Sequence, residues 1–359
     1  MKNIKLFFLS ILLGACIFSH ENLAPDQQIW DYGLPNQFKL INKELIDLDE
    51  AIRNDEFKNI NALIIIKNDQ LIFENYYLDK QREDLNNIDN ATNILASMAI
   101  GMAIDDGYLI SLKTSIADLL PEYEDELSRD SLKKNITIEQ LLTHRSGLSW
   151  DEIVSEDDLK RMMETYDWVK YILEKPLDAV PGTRYNFNSG VGMILSKIIQ
   201  NLTHESLSSY LNRKLFKPLE INRWIWTTDP SGTTNATNGL HLTQLDFTKI
   251  GYLMIKNGFW KDQVILSDDW IYESTNPQHQ PSYSFSLGYL WFQFTEDQDN
   301  RPYNSKHAFY IPGTTGNHLY INPEENLIVS IGAKNYFYGI FGPSYYLYLS
   351  IMDLHRNLS

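Results

Sequence analysis

An α/β fold, with one antiparallel sheet assembled from distant stretches of chain, flanked by helices and joined to a mostly helical lobe, is the class this sequence predicts. Two apolar strand pairs stand near opposite ends of the chain, and a helix that is apolar nearly all round follows the first pair. Between them runs a long section of helical segments broken by Gly and Pro. Strands at both ends with helices in the middle close into one sheet with helices packed on it.

The elements follow in order. After a polar lead containing Pro25 and Pro35, Asn61 to Tyr77 reads as two strands, Ile64-Ile65-Ile66 and Leu71-Ile72-Phe73, turning at Asn68-Asp69. A helix is expected from about Thr92 to Asp106. Ser97 is its only polar side chain between Ile94 and Ile104, so it belongs in the interior. Gly107 ends it. Ser115 to Leu215 is read as the helical section. A second hairpin places Leu319-Tyr320-Ile321 and Leu327 to Ile331 on either side of Asn322-Pro323-Glu324-Glu325, and a last helix is expected from Tyr345 to His355. The division that follows is a signal at residues 1–15, a polar lead at 16–55 and one domain at 56–357, with its helical lobe at about 110–220.

Composition narrows the partners. The 359 residues are 43% apolar and 13% aromatic, enough for a large core. A formal charge of -16, with no basic stripe, argues against nucleic acid. Met1-Lys2-Asn3-Ile4-Lys5 followed by an apolar run to Ala15 has the form of a secretory signal. Leu13-Gly14-Ala15-Cys16 resembles a bacterial lipobox, so cleavage before Cys16 and lipid attachment to it are expected, which places the protein in the bacterial cell envelope. The other reading is a plain signal with a chance Cys. Cys16 is the sole cysteine, which excludes an internal disulfide and a thiol-based active site in the mature body. Removing Lys2 and Lys5 leaves 29 basic against 47 acidic residues, a charge of -18.

Five segments carry a resemblance. Ile136-Thr137-Ile138-Glu139-Gln140-Leu141-Leu142-Thr143-His144-Arg145-Ser146-Gly147-Leu148 is the most specific. Pro181-Gly182-Thr183 with Tyr185-Asn186-Phe187-Asn188-Ser189-Gly190, Leu215-Phe216-Lys217-Pro218-Leu219, Gly239 to Asp246, and Gly313-Thr314-Thr315-Gly316-Asn317 with Tyr320 to Glu324 follow in order. Together, from about Ile60 to Ile340, they resemble the beta-lactamase-related serine hydrolases, the group of class C beta-lactamases, penicillin-binding proteins, D-aminopeptidases and esterases. The resemblance implies the beta-lactamase/transpeptidase-like fold. It also implies acyl transfer by an SxxK pair, a YxN tyrosine and a KTG or HxG cation.

Those positions are substituted. The Ser and Lys of SxxK fall on Asn90 and Asn93, the Tyr of YxN on Phe187, and the cation of the third motif on Thr314, with Gly316 retained. A carboxamide is a poor nucleophile and has no accessible pKa for proton transfer. Groups that act as a unit fail together, so an impaired or inactive hydrolase is expected, without a cofactor or metal. If the family fold holds, Asn90, Asn93, Ser189, Thr314, Gly316 and Asn317 converge on an uncharged pocket of amides and hydroxyls. Such a pocket suits a small-molecule, glycan or peptidoglycan-type ligand. The resemblance further puts the N–H groups of Asn90 and Asn317 at the oxyanion-hole positions. Against this, Asn90, Asp89 or Thr92 could simply cap the helix.

Other groups read differently. The only literal SxxK string, Ser131-Leu132-Lys133-Lys134, follows an acidic stretch and reads as surface. Tyr185 could replace the lost phenol only if the backbone shifted. His144 reads as a structural hydrogen-bonding residue, and Tyr283, Phe285, Tyr289, Trp291 and Phe292 as strand and core packing rather than a carbohydrate platform. The alternative to a binding site is a working serine hydrolase with a non-standard arrangement at Ser97 or Ser189.

Overall fold

Strand Leu327–Ala333 lies antiparallel to strand Ile60–Lys67, joining segments some 265 residues apart and setting the frame of the molecule. The computed structural model describes residues 31–32, 42–152, 157–295, 307–335 and 342–356. The proposed signal, Cys16 and most of the polar lead lie outside them. An eight-stranded sheet runs in the order 31–32, 70–76, 60–67, 327–333, 318–322, 309–312, 292–294, 285–287. Every neighbouring pair is antiparallel except the first, where Asp31–Tyr32 pairs in parallel with Gln70 and Leu71. The expected antiparallel sheet thus gains a short parallel edge from the polar lead.

The first hairpin turns on two residues, Asn68 (φ 49°) and Asp69 (φ 65°), the left-handed pair that matches strand twist and that Asn and Asp tolerate best. Strand Ile60–Lys67 is buried throughout and alternates between two cores. Ile64 and Ile66 pack with the central helices, and Leu63 and Ile65 pack with the terminal helices Asn42–Arg53 and Pro343–Arg356. The last helix starts two residues before its expected position, at Pro343, a residue suited to a first turn.

Helix Asn93–Asp105 crosses the interior with residues 93 to 103 all buried. At Gly101 a Cβ would stand 2.4 Å from the Trp270 ring, so only glycine admits that contact. Gly107, at φ 76°, ends the helix as expected. Of the aromatic cluster, Trp291 is fully buried against Phe309, Tyr289 stacks on Trp270, and Phe285 packs on Phe292. Tyr283 alone is exposed.

The motif segments have physical jobs here. Thr137 caps helix Ile138–Leu142 in a capping box, its hydroxyl accepting from Gln140 N while the Gln140 side chain accepts from Thr137 N. The Thr243 hydroxyl caps helix Gln244–Ile255, accepting from Asp246 N at 3.0 Å. The segments at 144–148 and 178–188 clamp one another. Asp178 N donates to Gly147 O, Gly182 N to Arg145 O and Asn186 N to His144 O. Gly147 has φ 78°, and a Cβ there would lie 2.3 Å from Ala179 O. Gly147→Ala combines a left-handed residue with a backbone clash and is expected to cost about 3 kcal/mol or more, read by denaturant unfolding.

Candidate active site

The four positions expected to carry the family's catalytic groups, Asn90, Asn93, Phe187 and Thr314, meet at the start of the buried helix. A short 3-10 turn, Asp89–Thr92, leads into helix Asn93–Asp105, and neither uses a side-chain cap. The capping alternative for Asn90, Asp89 or Thr92 is therefore corrected. Thr92 Oγ donates back to Asp89 O, and the Asn90 and Asp89 side chains reach across to the turn before strand His318–Asn322. Asn90 Oδ1 accepts from Thr314 N at 2.7 Å. The Asp89 carboxylate accepts from the Thr314 hydroxyl and from Thr315 N, the latter at 3.1 Å.

Behind this bridge, Asn93 Nδ2 donates to Thr237 O at 3.3 Å and Asn90 O at 3.4 Å, and its Oδ1 has no partner. Thr237 Oγ in turn donates to Ser189 O, which links Asn93 to Ser189 across two segments. Asn90, Asn93 and Phe187 line one cavity with Ile94, His144, Leu290, Phe292, Ile311 and Pro312. Its volume is about 20 Å3, room for one water-sized group and too little for a sugar ring.

Other sequence-predicted residues serve the scaffold. The Asn317 side chain is spent on Asn87 O, the Thr315 hydroxyl and Ala333 N, so it holds the turn rather than offering itself to a ligand. Gly316, at φ 88°, is required by the turn and by contact with Ser344 and Ala333. Tyr185 packs against His279 and Phe285 and does not line the cavity. Ser97 is wholly buried and donates to Tyr289 O at 2.8 Å. Lys133 of the literal SxxK string donates to Leu173 O, and Lys134 pairs with Glu124, remote from this cleft. His144 sits at φ 51° with Nδ1 facing Asn188 N and its ring 4.9 Å from Phe187. Burial, with the nearby His279 second, pushes its pKa down to about 3, so the imidazole is neutral and structural.

Two carboxylates touch residues of the expected site, Asp89 at Thr314 and Glu152 at Ser189, although neither lines the cavity. Asp89 is half-buried and Glu152 buried, and burial raises the pKa of each above the ordinary carboxylate range. Glu152 accepts from Ser189 N and from the Trp150 indole, and the Ser189 hydroxyl lies beside it without reaching hydrogen-bond geometry. The negative charge of Asp89 adds to the shift at Glu152. The Asn90 N–H, close to the Asp89 carboxyl, tempers the rise at Asp89. One donor that the resemblance assigns to an oxyanion hole thus stands beside the Asp89 carboxyl. Asp89, at φ 58°, is held in a region that non-glycine residues seldom adopt. That backbone turn is the feature no sequence signal marked.

The family model described as Beta-lactamase matches residues 62–336. Protein flp of Staphylococcus aureus (strain COL) is 25% identical over 195 residues, which is 51% of this chain and 38% of that protein, so the match spans well under half of the relative's length. Among solved structures, a penicillin-binding protein homologue from Caulobacter crescentus superposes with TM-score 0.70 at 13% identity, covering 91% of this chain and 98% of that one. EstCE1, a hydrolase with promiscuous acyltransferase activity, superposes with TM-score 0.72 at 15% identity over 89% of this chain and 99% of that one. At those identities the superpositions speak to the fold alone.

Proposed function

We propose, for a chain that belongs to the Beta-lactamase family, that the hydrolase cleft has become a binding site without acyl-transfer turnover. The observation that carries this reading is the pairing at the helix start. A carboxamide stands where the nucleophile is expected, and the Asp89 carboxylate faces the Asn90 and Thr315 N–H groups. Acyl transfer develops negative charge on the substrate oxygen, and donors aimed at that charge supply much of the rate. A carboxylate seated on such a donor opposes the transition state. Asn93 and Thr314 add no base or cation in compensation.

The ligand is of a peptidoglycan-like or carbohydrate type, lying across the mouth of the cleft with only a small substituent inside, since the cavity is about 20 Å3. Lipid attachment at Cys16 would hold the domain at the bacterial envelope. Hydrolysis of p-nitrophenyl esters should stay at the buffer rate, while muropeptides or oligosaccharides raise the melting temperature. Ester turnover above buffer with no stabilisation by either ligand would sink the reading.

One observation favours a second reading. The Ser189 hydroxyl, unpartnered and wholly buried, lies beside Glu152. A carboxylate next to a serine could act as its base, which would make Ser189 the nucleophile of a non-standard hydrolase. Burial of both groups denies a substrate access in this conformation.

A further inference from the structure

We propose that the end of the sheet opposite the cleft turn docks on a lipid bilayer through the exposed pair Phe259 and Val264, with the cleft facing away from the membrane. This rests on the lipid-anchor reading above and gives it an orientation. Strands Ile60–Lys67 and His318–Asn322 end at one pole, on the turns Asn68–Asp69 and 323–326, where Asn68 N donates to Asn326 O at 2.9 Å. Asp31 pairs with Gln70 there, so the chain coming from Cys16 enters the fold at this pole. The turn that carries Thr314 precedes His318, at the other end of strand His318–Asn322, about 13 Å away along it. Residues 17–30 join Cys16 to Asp31, and whatever path they take they reach no further than about 50 Å. A domain of this size is itself about 50 Å across. Turning the cleft toward the lipid would need that whole length stretched along the side of the domain.

A second element reaches the same pole and ends in apolar surface. Helix Gln244–Ile255 runs along the sheet from Ser330, whose hydroxyl accepts from Gln244 Nε2 at 2.8 Å, to the first hairpin, where Lys256 Nζ lies 2.5 Å from Asp69 Oδ1. A small hairpin follows at once, in which Phe259 pairs with Val264 and Trp260 with Gln263. Residues directly opposite share a face, and alternation along the strand sends Trp260 the other way, where it is buried. Phe259 is 51% exposed and Val264 61%, so the outer face of the hairpin offers two apolar side chains to the surroundings. Apolar side chains held at the boundary of a bilayer bind in proportion to the area they bury there. Lys256 and Lys261 beside the hairpin are committed to Asp69 and Glu220, so the contact is apolar and does not depend on anionic lipid. With the cleft outward, its ligand approaches from the aqueous side rather than out of the bilayer.

Fluorescence quenching tests this on the lipidated full chain, in vesicles of phosphatidylethanolamine and phosphatidylcholine doped with a lipid that carries a nitroxide on its headgroup. Lipid on the Cys16 sulfur leaves an introduced cysteine as the only free thiol. An acrylodan label at Val264→Cys is expected to be quenched at least about fivefold more than one at Thr314→Cys, which is exposed in the turn beside the cleft. Phe259→Ser combined with Val264→Ser, read by a label at the exposed Glu324→Cys, should lower the quenching at least about twofold. Both replaced side chains are exposed, so the melting temperature of the parent should be kept. Equal quenching at 264 and 314, stronger quenching at 314, or a double serine variant quenched as the parent is would each overturn the proposal. The mass of the membrane-extracted chain separates the two possible failures. A Cys16 without lipid sinks the anchor reading and the orientation with it, whereas a lipidated chain quenched at 314 sinks the orientation alone.

Discussion

Combining Asn90→Ser, Asn93→Lys and Phe187→Tyr is expected to create a serine that fluorophosphonates label and that turns over p-nitrophenyl esters, where each single replacement gives nothing measurable. Nucleophile and base act as a unit, and removing either from a working hydrolase costs about 10^6 in kcat, so restoring one without the other recovers almost nothing. The triple variant should gain at least about 10^3 over the parent, because the scaffold still aims the helix start at the cleft. Adding Asp89→Ala should raise the rate again. That change removes the carboxyl group beside the N–H of residue 90, which can then face the developing oxyanion. A triple variant that folds and stays unlabelled would mean that positions 90, 93 and 187 do not correspond to the family's catalytic set.

The second large effect concerns acid. His144 is buried against Phe187 with a pKa pushed down to about 3, and His318, buried beside the Tyr320 hydroxyl at 2.7 Å, is pushed down to about 4, in both cases first by burial. In the unfolded chain a histidine takes up its proton near pH 6.5, whereas the folded protein refuses it until far lower pH. The stability from the neutral rings is fully present above about pH 6.5 and is lost as pH falls toward 4. For His144 alone the loss at pH 4.5 is roughly 2–3 kcal/mol. Asp89 and Glu152 act in the opposite sense, since their raised pKa values favour the protonated folded form on acidification. The histidine contribution is therefore read as a difference. Urea midpoints of the parent should fall between pH 7 and 4.5 more steeply than those of His144→Asn, which keeps an acceptor toward Asn188 N. Parallel pH profiles would contradict the account.

Much of this was legible in the residues. The Asn68-Asp69 turn, the all-apolar helix stopped at Gly107, and the pairing of strands from opposite ends all follow from pattern and turn chemistry. The motif segments were readable because their residues do local work, as Thr137, Gly147, Gly182 and Thr243 show. The two carboxylates beside the site were not legible. Asp89 looks like a helix cap in sequence, and only its left-handed backbone turns the carboxylate toward Thr314 and Thr315. Glu152 carries no motif at all, and its role comes from Ser189 N and Trp150, which the fold brings to it. Asn317 misled for the opposite reason, because its place in the motif matches a site residue while its amide is consumed by Asn87, Thr315 and Ala333.

Intact-mass analysis after incubation with a fluorophosphonate tests the loss of acyl chemistry most directly. The parent protein is expected to keep its unmodified mass at every time point. A stoichiometric adduct that maps to Ser189 or to any other serine of the domain would contradict it.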